Sequence, residues 1–450
     1  MSTYTKHYKH RLLVLLITAS MFPLSAFADN KYEELKEQVE LLQKQLSQVQ
    51  EVLKEYEKQS EDNSNEVKEL KKEISETTNV ANLQNEIAAA SEWRDPNTLI
   101  HMSGYADIGY SSAGDNFNIG TFAPIFHYQY RDLVMLEAEL ELEVDSAGET
   151  ELALEYLTID LFLGDYVTFV GGKFLSPIGQ FRQNLHPSWI NKIVSAPPGF
   201  GHDGAAPTSE LGFQLRGGFE LGNINSNYAF YVSNGPELIA VEEDGEIELE
   251  GVIAEGLGSD VDNEKTFGGR LGFLPIPNLE IGFSIATGKA TVTSLESEEE
   301  HEGKYAFQEL LFGTLDEGET PDLHDEIARD YDVIGFDFAY RLKNLQLRGE
   351  YVKTKIGEAT SGETASEGAS WESWYTQASY LIPKSKWEPV IRYTDFTAPH
   401  SSVSQEQFAF GVNYQFTSSV IGKATYEFND GLSGALTDEN RWLLQLAYGF

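Results

Sequence analysis

The 450-residue chain sets 72 Asp and Glu against 32 Lys and Arg, a formal charge of −40. So acidic a surface excludes nucleic acid as a partner, because phosphates need a basic face. With no Cys there is no disulfide framework and no thiolate metal site, and 22 Tyr and 26 Phe are too many for a disordered acidic chain.

Residues 1–28 read as a signal peptide. Lys6, Lys9 and Arg11 form a basic head, Leu12–Ile17 begins a short apolar stretch, and Ala26-Phe27-Ala28 offers a small-x-small cleavage site. The apolar stretch is too short to span a bilayer, and no later run approaches the ~18 to 20 apolar residues of a spanning helix. The mature chain is expected to start at Asp29 and to be periplasmic, secreted or an outer-membrane barrel.

Residues 29–92 read as a periplasmic coiled coil. Leu35, Val39, Leu42, Leu46, Val49, Leu53 and Tyr56 follow alternating steps of four and three, and the register runs on through Ser60 and Asn63 to Val67, Leu70 and Ile74. Such a narrow seam suits helix-to-helix packing better than a helix lying on a globular body. Two or three strands fit the pattern; a homotrimer is expected, because porin-like barrels commonly trimerise.

Beyond Trp93 the apolar period falls to two, and residues 93–450 are expected to form an all-β transmembrane barrel of about 16 antiparallel strands. The strands are predicted at 98–110, 117–130, 133–145, 150–163, 166–175, 209–220, 224–234, 265–274, 279–290, 331–342, 345–357, 371–382, 387–397, 405–416, 420–429 and 439–450. Most are of a length that suits tilted spanning strands. Connections after even-numbered strands are short (Arg131-Asp132, Gly164-Asp165, Gly222-Asn223, Lys343-Asn344), whereas 176–208, 235–264, 291–330 and 358–370 follow odd-numbered ones. A barrel with turns at one end and loops at the other produces that alternation. The last strand ends on Phe450, like the C-terminal assembly signal of outer-membrane barrels.

Parity assigns the faces. Charge at mid-membrane depth on a lipid face costs a few kcal/mol, so Glu137, Glu139, Glu141 and Glu143, alternating with Leu136, Ala138, Leu140 and Leu142, are expected inside. Glu151 and Glu155 join them on the fourth strand, with Leu152, Leu154 and Tyr156 outward. The same test sends Arg216, Arg270, Arg341, Arg348, Arg392, Lys423 and Arg441 inward, a basic wall interrupted by Glu350 and Glu427. Opposed walls of charge would set a field across the lumen; the alternative is that lumen residues need only be wettable. Arg182, His186 and Lys192, with His202, make 176–208 a candidate constriction loop, unless it lies on the rim. Loops 235–264 and 291–330 are crowded with carboxylates and expected to be solvated, bridged by divalent cations to lipopolysaccharide. Their His301 and His324 are isolated imidazoles rather than a metal site.

Residues Asn82-Leu83-Gln84-Asn85-Glu86-Ile87, Trp93-Arg94-Asp95-Pro96 and His101-Met102-Ser103-Gly104-Tyr105-Ala106-Asp107 resemble the siderophore porins typified by the legiobactin receptor of Legionella. Gly172-Lys173-Phe174-Leu175-Ser176-Pro177-Ile178-Gly179 is more distantly similar to phosphate-selective porins with an N-terminal coiled coil, although the carboxylate wall departs from their basic ladders. The first resemblance implies ferric siderophore uptake as the cargo, without energised plug machinery; it transfers no site residue. Two alternatives stand beside it: a general or other substrate-selective diffusion porin, and a structural anchor with a coiled-coil tether. No Ser/His/acid set has a nucleophile context around His101 and Ser103, so neither an enzyme nor a cofactor is expected. The partners expected are outer-membrane lipid and lipopolysaccharide, and a small-molecule solute.

Overall fold

A computed structural model describes residues 98–144, 148–201, 205–243, 246–297, 327–360, 365 and 367–450, with Lys44, Ser47, Glu51, Lys54 and Lys58. The chain divides into two compact units, Met1–Trp93 and Arg94–Phe450. The signal peptide lies outside the described residues. So does the coiled coil, apart from those five positions, which are helical and exposed.

The second unit is a closed antiparallel barrel. Its first seven staves are β1 (Thr98–Ser111), β2 (Asn116–Tyr130), β3 (Val134–Val144), β4 (Thr150–Gly164), β5 (Val167–Leu175), β6 (Ser209–Leu221) and β7 (Ile224–Ser233). A hairpin of β8 (Glu237–Glu243) and β9 (Glu246–Ile253) interrupts them. The remaining staves are β10 (Thr266–Ile276), β11 (Leu279–Ser297), β12 (Arg329–Leu342), β13 (Leu345–Ile356), β14 (Ala369–Tyr380), β15 (Trp387–Thr397), β16 (Gln405–Gln415), β17 (Val420–Gly431) and β18 (Arg441–Gly449). β7 pairs directly with β10, and β1 pairs with β18 from Tyr105↔Gly449 to Ser111↔Leu443, so sixteen strands close the cylinder. Closure leaves no sheet edge in hydrocarbon, the condition a spanning sheet must meet.

Outward positions are apolar all round: Leu152, Phe213, Phe230, Phe267, Phe283, Ile334, Ile391, Phe408, Trp442 and Leu444 are exposed. Such a belt is stable against lipid and not against water. The short turns need tight reversals, and Arg131, Asn278, Lys343 and Lys384 take positive φ there, between 53° and 69°. These side chains accept the left-handed region at a modest cost, recovered by hairpin closure.

Three features depart from the expected pattern. In β4 the pairing with β3 passes from Glu139↔Tyr156 to Leu140↔Leu154, leaving Glu155 as the extra residue of a bulge. Glu155 and Tyr156 therefore both face inward, and Tyr156, expected outside, is buried with its hydroxyl donating to Glu137 (3.0 Å). Next, the acidic connection 235–264 is not wholly a solvated loop. Leu238, Ala240, Leu249 and Val252 of its hairpin are buried, and alternating Glu residues made an amphipathic ribbon look like a hydrophilic loop. Finally, β11 runs to Ser297 instead of 290, because its extension pairs in parallel with β8.

Candidate functional site

The connection after β5 folds into the barrel, where the wall holds it by its backbone. It opens at Pro177–Gly179, where glycine is required twice over, by a φ of +73° and because a Cβ would strike the Glu350 carboxylate. The Gly179 N–H donates to Ser284 Oγ on β11 (3.1 Å), and the N–H groups of Gln180 and Phe181 donate to Glu350 on β13 (3.2 and 3.1 Å). A short π-helical turn, Phe181–Leu185, carries Arg182 towards the opposite wall. Further on, Arg392 of β15 donates to the carbonyls of Ser195 (2.9 Å) and Ala196 (3.1 Å). Lys423 of β17 donates to the Ser188 carbonyl, Asn413 of β16 to that of Lys192, and Ser373 of β14 to that of Pro198.

The three basic residues singled out on this segment reach two sides. Arg182 pairs with Glu155 (3.1 Å), and His186 lies 3.8 Å from Glu139. Both contacts join the loop to the acidic strands β3 and β4. Lys192 turns the other way and meets Glu388 of β15 at 2.9 Å. His202 lies outside the described residues.

Five of the seven bases on the expected basic wall have partners that absorb them. Arg216 pairs with Asp160, Arg270 grips Asp337 through two nitrogens (2.8 and 2.6 Å) and reaches Glu280 (3.0 Å), and Arg441 meets Glu427 (2.7 Å). Arg392 and Lys423 serve loop carbonyls, as above. Arg348 contacts Gln346 (3.4 Å), and Arg341 is exposed near the short-turn end. Asp160 on β4, Asp337 on β12 and Glu388 on β15, none of them singled out from sequence, are buried. Only their inward parity could have flagged them.

Between the loop and β11–β15 the interior is dry. Phe181, Phe200, Tyr375 and Trp371 pack with Val333, Val352 and Ile356, and the hairpin adds Leu238, Ala240 and Leu249 to the same cluster. Phe200 and Tyr375 meet edge to face at 5.0 Å. A core of this kind admits no water file.

The open space lies on the other side. A cavity of about 1020 Å3 is bounded by β1–β6, the loop and the segment after β9. Its walls carry the carboxylates of Asp107, Glu141, Glu143, Glu151, Glu155 and Glu255, against the cations of Lys173 and Arg182. Of the six glutamates expected to line an acidic wall, Glu141, Glu143, Glu151 and Glu155 border this space. Glu137 and Glu139 sit beyond it, the first under the Tyr156 hydroxyl and the second buried near His186. Glu143 accepts from Thr121 at 2.9 Å, which fixes it against β2. Oriented carboxylates in a narrow wet space attract cations and repel anions.

No protein-family model and no curated protein matches this chain. Among solved structures the chain is similar to OmpF of Salmonella typhi, with 10% identity over 78% of this chain and 97% of that one and a TM-score of 0.49. It is similar also to an anion-selective porin from Comamonas acidovorans (14% identity, 78% and 100% covered, TM-score 0.48). A third is the trimer form of OmpT, an outer membrane protein of Vibrio cholerae (12%, 78% and 99%, TM-score 0.47).

Proposed function

We propose that the chain is an outer-membrane channel through which small solutes diffuse along the acidic wall formed by β1–β4, and that it favours cationic over anionic cargo. The observation that carries this reading is the division of the interior. Loop 176–208 is bonded to β11, β13, β14, β15, β16 and β17, and the cavity with six carboxylates lies on its far side. A sixteen-strand cylinder is wide enough to keep an aqueous path beside such a loop. With a signal peptide at its head and the short turns facing the periplasm, the barrel belongs in a Gram-negative outer membrane, the long loops meeting lipopolysaccharide. Arg182, His186 and Lys192 act as the constriction loop, Arg182 tempering the acidic side.

Within this reading the cargo is a ferric siderophore, on the strength of the resemblance carried by residues 82–110, and the assembly is a homotrimer joined at its periplasmic coiled coil. Planar-bilayer recording tests the channel: discrete conductance steps with a reversal potential on the cation side in a KCl gradient are expected. A sealed barrel would leave the structural anchor instead. For the cargo, a deletion strain should take up less radio-iron from ferric siderophore than its parent; equal uptake would discard it.

A further inference from the structure

A rung of three lumen-facing side chains crosses neighbouring strands near the short-turn end. His101 of β1 is the direct partner of His127 on β2, and His127 that of Glu137 on β3. Their neighbours Ile100, Met102 and Phe126 are exposed on the outer face, so the alternation turns the three polar groups inward. The Nδ1 atoms of the two imidazoles face each other at 3.5 Å. His127 Nε2, at the far side of its ring, lies 3.6 Å from Glu137 Oε1, which also accepts from the Tyr156 hydroxyl at 3.0 Å.

We propose that His101 and His127 bind a divalent transition-metal ion of the Zn2+, Cu2+ or Ni2+ class between their Nδ1 atoms, with Glu137 orienting His127 from behind. Two nitrogens ~2.0 to 2.1 Å from a tetrahedral ion stand about 3.3 Å apart, so a shift of a few tenths of an ångström would seat it. One Nδ1–H donates to the other ring in the free pair, and a cation that displaces that proton takes both lone pairs. A carboxylate on the second ring nitrogen fixes the tautomer and ring plane of a metal-bound histidine, the place Glu137 occupies. Imidazole pairs favour these metals over Mg2+ or Ca2+, which take oxygen ligands. His101 is exposed and His127 partly so, which leaves the remaining coordination positions to water. The ion would sit on the β1–β3 side of the interior, the side of the acidic wall. Its binding requires only that solvent reach the rung, so it stands or falls separately from conduction.

The test is metal titration of the full-length chain in detergent micelles after stripping with EDTA. Cu2+ followed by electron paramagnetic resonance should fill a single site per chain with hyperfine structure from two nitrogens, and Zn2+ should compete for it. His101→Ala and His127→Ala should each weaken Cu2+ binding at least tenfold and lose the two-nitrogen signature. Glu137→Gln should keep both nitrogens and weaken binding about tenfold, as loss of an orienting carboxylate does. His400→Ala, in the connection between β15 and β16, should bind as the parent does. Heat-modifiable migration on gels confirms that each variant is folded. Unchanged binding by the folded double variant His101→Ala/His127→Ala would overturn the site, as would a parent chain that takes up no stoichiometric Cu2+.

Discussion

Glu350 holds the entry of the inward loop, and Glu350→Ala should release it without opening the barrel. The carboxylate is 5% exposed and accepts from Gln180 N–H (3.2 Å), Phe181 N–H (3.1 Å) and the Tyr375 hydroxyl (3.5 Å). Truncation strands one buried backbone donor, Phe181 N–H, at ~1 to 3 kcal/mol and a part-buried one, Gln180 N–H, at less, while relieving the cost of burying a carboxylate. A net loosening of about 2 kcal/mol speeds amide exchange about thirtyfold if exchange follows local opening. Hydrogen–deuterium exchange in detergent, read on a peptide covering 179–186, should show this, with amides of β13 away from position 350 unchanged. The same variant should make single-channel current noisier. Protection of Gln180 and Phe181 equal to the parent's would refute the anchoring role, and general loss of protection would mean the residue supports the barrel itself.

Gly179→Ala should loosen the same turn, because a Cβ would meet Glu350 and the residue would be held at φ +73°; faster exchange at 180–181 in a folded barrel checks it. Ile391→Arg puts charge on the lipid face at the middle of β15 and should cost ~2 to 4 kcal/mol in folding into bilayers, measured by denaturant titration. Replacing Glu141, Glu143 and Glu151 together by Gln should move the reversal potential towards the anion side; an unmoved potential would detach the acidic wall from the path.

The barrel was legible because lipid and water impose a two-residue alternation on every stave. Most predicted strand ends fall within two residues of those observed, and the short turns stand where expected. The Glu155 bulge was not legible: one inserted residue reverses parity for Tyr156 without changing composition. Nor were the loop's anchors, since Gln180 and Glu350 lie 170 residues apart and Ser195 and Arg392 lie 197. Parity told that Glu350 faces inward but not that a backbone turn would meet it there. The hairpin 237–253 was hidden by its own charges, whose spacing of two was the readable sign. The His101–His127 pair needed the register of β1 on β2, which spacing along the chain does not supply.

The chain has no native Cys, so a single introduced thiol reports access without background. Glu151→Cys borders the open cavity, whereas Val352→Cys lies in the packed interior behind the loop, where Val352 is 1% exposed. During single-channel recording, a cationic methanethiosulfonate should lower conductance in the first variant and leave the second untouched. Reaction at position 352 with silence at 151 would place the water on the wrong side of loop 176–208 and contradict the account.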